Sequence, residues 1–164
     1  MTAEVADAQT DEFQQVERGY VNVIRVRTML SWAPLVIGAV VLDQTVLDGN
    51  RWQGALTVGV PLLAVLSTIL APPRIWQRLR YRLHPTLLQV LRGWLFHTDT
   101  IVPFVRVQHI DVTRGPWDKL FGTASLVVHT AGTHNSIVTL PGLSPERAGE
   151  IRELIRDQIR SDLE

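Results

Sequence analysis

Residues 51–82 read RWQGALTVGVPLLAVLSTILAPPRIWQRLRYR, and this segment decides the fold. The 22 residues between Arg51 and Arg74 carry no formal charge, whereas the nine from Arg74 to Arg82 carry four arginines and no acid. An apolar run of that length meets the requirement of an α-helix crossing a hydrocarbon core of about 30 Å at about 1.5 Å per residue. Arginines gathered at one end hold that end on the cytoplasmic side.

A second apolar run lies upstream. Its uninterrupted part, Leu30 to Leu42, is thirteen residues, and a helix of that size spans only about 20 Å. A full crossing therefore takes in Thr28 at one end and Asp43, Gln44 and Thr45 at the other, polar residues expected to reach toward the interface. Trp32 and Trp52 fall where interfacial aromatics belong. Asp48-Gly49-Asn50 supplies a turn, and the second span runs from Gln53 to Pro73, with Gly54, Gly59, Pro61 and Ser67 inside it. Small residues and proline are tolerated in membrane helices and let a partner helix approach closely.

The simplest reading is a transmembrane helical hairpin over residues 28–73, after a cytoplasmic tail (1–27) and before a cytoplasmic domain (74–164). Arg18, Arg25 and Arg27 precede the hairpin, Arg51 alone lies in its turn, and Arg74, Arg78, Arg80 and Arg82 follow. Both termini are thus expected on the cytoplasmic face of a multi-pass protein of the cell inner membrane. The rival reading is a helical hairpin buried in a soluble protein. It lacks a cover for that hairpin, because residues 74–164 already carry the pattern of a domain with its own core.

Bulk composition agrees with this division. A mean hydropathy of +0.11 over 164 residues is modest for a polytopic protein, but it fits apolar residues concentrated in one third of the chain. Lys+Arg and Asp+Glu are 16 each, so no global field points to nucleic acid. The absence of cysteine excludes disulfides, thiol nucleophiles and thiolate metal sites together. Residues 1–17 hold five acids and no Lys or Arg, unlike the basic start of a secretory signal, and read as a solvated tail.

Beyond Pro72-Pro73 the hydrophobic period changes from helical to two. Strands are expected at Tyr81–Leu83 and Leu87–Leu91 around His84-Pro85, then at Leu95–Ile101 and Phe104–Val112. In the last of these the apolar phase slips between Val107 and Ile110, which a β-bulge near Gln108-His109 explains. Arg114-Gly115-Pro116-Trp117 breaks the strand, and Asp118 to Gly122 reads as one helical turn. Ala124–Thr130 and Asn135–Leu140 form a hairpin about Ala131-Gly132-Thr133. Ser144-Pro145-Glu146 opens a final helix to Ser161, with Ala148, Ile151, Leu154, Ile155 and Ile159 on its apolar side.

Several local phrases, in order, resemble the bacterial pleckstrin-homology-like (PH-like) family of small membrane proteins, sometimes described as YdbS-like. They are Tyr81-Arg82-Leu83, Arg92-Gly93, Ile101-Val102-Pro103, Arg106 to Ile110, Gly115 to Gly122, Ala124 to Gly132 and Leu140 to Leu143. The resemblance implies an α+β chain: an N-terminal transmembrane helical hairpin, then a strongly bent β-sheet or barrel closed by a C-terminal helix. Six strands can be placed, one short of seven, which leaves a sheet edge open. Gly93, Gly122 and Gly132 read as turn positions, and Trp117 and Phe121 as apolar plugs at a corner of the sheet.

Constellations able to carry chemistry are sparse. His129 and His134 flank the expected hairpin turn, but no carboxylate lies between Asp118 and Glu146 to complete a metal site. A triad of Ser125, His129 and Asp118 lacks an oxyanion donor, and no phosphate-cradling glycine motif occurs. Neither catalysis, a metal nor a cofactor is expected. The expected partners are the lipid bilayer and a protein, either a second copy or another chain, bound at the sheet edge or at the corner holding Trp117, Lys119 and Phe121. The alternative is an anionic-lipid sensor using Arg74, Arg78, Arg80, Arg82 and Arg92, although all but Arg92 are already accounted for by membrane orientation.

Overall fold

The computed structural model describes residues 12–94, 96–131 and 137–161. Leu95, Gly132, Thr133, His134 and Asn135, each part of an expectation above, lie outside the described residues, as do residues 1–11 of the acidic start. The chain divides into two compact units: Val21–Arg74, and the residues on either side of that segment.

The first unit is a hairpin of two long helices, α1 (Gly19–Thr45) and α2 (Ala55–Gln77). Both are long and apolar enough to cross a membrane, and only 11% of the apolar window of each is buried. A core helix of a soluble protein would hide such a surface, yet Leu35, Ile37, Leu62, Val65 and Ile69 are all exposed. The turn between the helices places Gly49 at φ 71°, as the Asp-Gly-Asn sequence requires.

Two local expectations are corrected here. Asp43 does not reach outward; it is 3% exposed, and its Oδ2 accepts hydrogen bonds from Gly54 N at 2.8 Å and Thr57 Oγ1 at 2.7 Å. A carboxylate is favoured there because the first amides of a helix lack intrahelical acceptors. Helix α2 also runs through Pro72-Pro73 to Gln77, beyond the expected change of period. Prolines remove donors from the helix, but the last turn is tied down elsewhere: Trp76 Nε1 donates to Val16 O at 2.9 Å and to Glu17 O at 3.1 Å.

The second unit is built from two antiparallel sheets and a helix. The first sheet has the order β1-β2-β3-β4, formed by Gln14–Gln15, Arg80–His84, Leu87–Arg92 and Thr98–Pro103. After a 3-10 turn at Phe104–Arg106, the second sheet runs β5-β6-β7, formed by Val107–Thr113, Ala124–Thr130 and Ile137–Leu143. A short helix α3 (Pro116–Leu120) joins β5 to β6, and α4 (Pro145–Ser161) closes the chain. The register slips between Val107 and His109, where the hydrophobic phase called for a bulge.

One core serves both sheets and α4. Leu88, Val90 and Val102 from the first sheet meet Leu126, Val128 and Leu140 from the second, with Ala148, Ile151 and Ile155 from α4. Each fully buried Leu or Ile contributes roughly 1.5–3 kcal/mol relative to exposure. Ser144 Oγ accepts from Arg147 N at 3.1 Å, the N-cap expected of Ser-Pro-Glu. Leu154, expected on the apolar side, is 51% exposed; at one position before Ile155 it lies about 100° around the helix from the buried row.

Residues 14–17 depart from the expected solvated tail. Gln14 and Gln15 pair with Tyr81 and Arg80, Val16 is buried in the core, and Glu17 N donates to Gly142 O at 2.7 Å. This is the seventh strand. Tyr20 packs against Gly142, where φ is 78° and an added Cβ would fall on the Tyr20 ring.

Candidate functional site

The five arginines near the membrane exit do not form one pocket. Arg74 and Arg80 are exposed. Arg82 is taken up by the sheet: its Nη2 donates to Gln89 Oε1 at 2.9 Å, and its guanidinium lies 4.8 Å from the Phe13 ring centroid. Gln89 in turn donates to both Asp99 oxygens at 2.9 and 2.7 Å, a chain linking β2, β3 and β4. Arg78 donates through Nη1 to Trp94 O at 3.3 Å.

Arg92 stands apart. It is half-buried, and its Nε and Nη2 are buried without a hydrogen-bond partner among the described residues. Burial pushes its pKa below the ordinary arginine value, partly offset by Tyr20. Arg147 moves the other way. Burial disfavours its charge, but hydrogen bonds with Tyr81 and Glu150 outweigh that and raise its pKa. Arg147 Nη2 also reaches Gln14 Oε1 at 3.2 Å, and Tyr81 Oη donates to the same oxygen at 2.9 Å. These bonds tie β1, β2 and α4 together.

At the corner, Trp117 and Phe121 are half-buried, while Lys119 and Leu120 are exposed. The organiser of the corner is the buried Asp118. Its Oδ1 accepts from Thr123 Oγ1 at 2.8 Å and its Oδ2 from Gly115 N at 3.1 Å. The Phe121 carbonyl lies against Gly19, where a Cβ would overlap it. The corner is thereby packed by the first residue of α1.

One edge of the first sheet is β4, which pairs only with β3 among the described residues, the other being the two-residue β1. Ile101 on this edge is 55% exposed. A groove of about 340 Å³ runs beside it, bounded by Arg106, Thr130 and Val138.

The expected pair of His129 and His134 goes untested because His134 lies outside the described residues, but another histidine pair is formed. His109 and His129 are register partners on β5 and β6, and Asp111 lies between them, 2.9 Å from His109 Nε2 and 3.6 Å from His129 Nε2. A two-residue alternation on β5 and the bulge before it bring the three together, which chain spacing alone did not reveal. Among the described residues no group of three or more His, Cys, Asp or Glu side chains is placed to hold a metal ion. Asp118 of the supposed triad is engaged by Thr123 and Gly115 instead of by His129.

Comparison with known proteins bears on most of the chain. The family model described as bacterial PH domain matches residues 29–159. The transmembrane protein YdbS of Bacillus subtilis (strain 168) is 31% identical over 122 residues, covering 74% of this chain and 75% of that protein. No solved structure matches. With two exposed apolar helices and a transmembrane relative, this is a membrane protein whose hairpin precedes a two-sheet domain. Its sequence and its order of elements place it in the bacterial PH domain family.

Proposed function

We propose that the protein is a non-enzymatic, membrane-anchored interaction module that helps assemble or regulate a membrane protein complex. The observation that carries this reading is the β4 edge, unpaired among the described residues, with Ile101 exposed beside an open groove. An exposed edge offers a row of backbone donors and acceptors to an added strand, and adjacent pockets select its side chains. The partner supplies an extended segment, from a second copy or from another membrane protein. The distribution of arginines about the hairpin supports a cytoplasmic position for both ends of the chain in the cell inner membrane.

The test is a photoreactive side chain at Ile101 in the full chain, irradiated in native membranes. The expected result is an adduct with one discrete chain, at doubled mass for a second copy or at a different mass for another protein, and none from the same probe at Leu154. Equal labelling at both positions, or no protein adduct at Ile101, would sink the edge-binding reading.

A further inference from the structure

Of the described residues lining the groove beside β4, two are charged: Asp99 on β4 and Arg106 in the 3-10 turn that follows it. All of them belong to the second unit. Asp99 is already engaged, because Gln89 Nε2 donates to both of its oxygens, at 2.9 and 2.7 Å. Arg106 is exposed, and among the described residues no acceptor bonds its guanidinium. Residues 132–136, which follow Ala131 of the groove in sequence, include no acid. A solvated arginine by itself is ordinary. The setting of this one is not.

The backbone that carries Arg106 is pinned on both sides. Phe104, at the start of the turn, is buried in the core, and its N–H donates to Thr86 O at 3.0 Å. At the other end Ala131 N donates to Arg106 O at 2.8 Å. Only the side chain then needs ordering when a ligand arrives, which lowers the cost of binding. Next to the turn stands Pro103, the last residue of β4, which has no N–H to offer an added strand. Main-chain pairing along β4 therefore weakens at the end where Arg106 stands, and a side-chain contact can take over. Such pairing is also indifferent to sequence, so selection falls to the side chains beside the edge. Ile101 offers an apolar contact, and a guanidinium offers a fork of N–H groups matched to a carboxylate. The groove, about 340 Å³, is at the small end of ligand pockets and suits a few side chains of an extended segment.

We propose that the segment added at β4 carries an aspartate or glutamate whose carboxylate pairs with Arg106, close to the residue that lies against Ile101. Arg106 is then the residue that selects the partner, while the edge itself supplies contacts common to any extended chain. The inference rests on the β4-edge reading and names the chemistry of the partner that this edge takes.

The experiment uses the full chain with the photoreactive side chain at Ile101, irradiated in native membranes, in the parent and in Arg106→Ala, Arg106→Glu and Val105→Ala backgrounds. Val105 is the control, a neighbour in the same turn that is 78% exposed and does not line the groove. The expected yield of the discrete adduct is about fivefold lower in Arg106→Ala and at least tenfold lower in Arg106→Glu, with Val105→Ala equal to the parent. Digestion of the adduct is expected to place an acid within about five residues of the crosslinked one. Changing that acid to lysine is expected to lower the yield with the parent and to restore it with Arg106→Glu, a reversal that altered stability of either variant does not produce. A discrete adduct whose yield is the same in Arg106→Glu as in the parent would overturn the role of Arg106 and leave the edge reading standing. A crosslinked segment without an acid, or no restoration by the reversed pair, would do the same. A lipid adduct in place of a protein one, or no adduct at all, would overturn both readings.

Discussion

Asp43 and Thr57 lie fourteen residues apart in sequence, and the Thr57 hydroxyl donates to the Asp43 carboxylate at 2.7 Å. The same oxygen accepts from Gly54 N, so one side chain near the end of α1 caps the start of α2. Asp43→Ala is expected to destabilise the detergent-solubilised chain by about 1–3 kcal/mol, since two donors lose their acceptor. Thr57→Val is expected to cost only about 1 kcal/mol. Thermal unfolding followed by helical circular dichroism measures both, and an unchanged midpoint for Asp43→Ala would count against the cap.

Gly142 and Gly149 form a matched contrast. Gly142 has φ 78° and the Tyr20 ring where a Cβ would go, while Gly149 has open space around it. Gly142→Ala is expected to destabilise by more than the roughly 1–2 kcal/mol of left-handed backbone strain, because it also displaces Tyr20. Gly149→Ala in helix α4 is expected to stabilise by about 0.5–1 kcal/mol. Opposite signs in one thermal-shift experiment are the result to look for.

At the corner, Asp118→Ala removes the acceptor of Gly115 N and of the buried Thr123 hydroxyl. A loss of about 3 kcal/mol is expected, against about 0.5 kcal/mol or less for the exposed neighbour in Lys119→Ala. Comparable unfolding midpoints for the two variants would show that the corner is held by its apolar residues alone.

The docking of residues 14–17 depends on the Trp76 indole. Trp76→Phe keeps most of the ring volume but removes the donor to the Val16 and Glu17 carbonyls. A loss of about 1 kcal/mol is expected, which is about a fivefold faster amide exchange at Glu17 if that segment opens locally. Exchange at Glu17 equal to that of the unmodified chain would show the indole bond to be dispensable.

What the sequence made legible was whatever repeats over several residues. The charge-free run from Arg51 to Arg74 announces a helix, the alternation from Val105 to Val112 announces a strand and its bulge, and Ser144-Pro145-Glu146 announces a cap. Strand β1 was hidden because two residues have no period, and its partners Tyr81 and Arg80 lie more than sixty positions away. Gly142 was hidden for a related reason: its need for a positive φ comes from contact with Tyr20, not from its neighbours. At the candidate sites, residue type flagged Arg92 and the Trp117–Phe121 corner. Only the fold showed Arg82 bonded to Gln89 and stacked on Phe13, and Arg92 half-buried at the end of β3.

The pairing of Gln14–Gln15 with β2 fixes an order of assembly. The first strand of the sheet is made before the membrane helices and its neighbour after them, so β1 waits while some sixty-five intervening residues are synthesised and find their place. Until Arg80 and Tyr81 emerge, Val16 has no core to enter. A fragment beginning at residue 74 would bare the β2 edge that Gln14 and Gln15 cover, inviting the edge-to-edge association that a paired strand prevents.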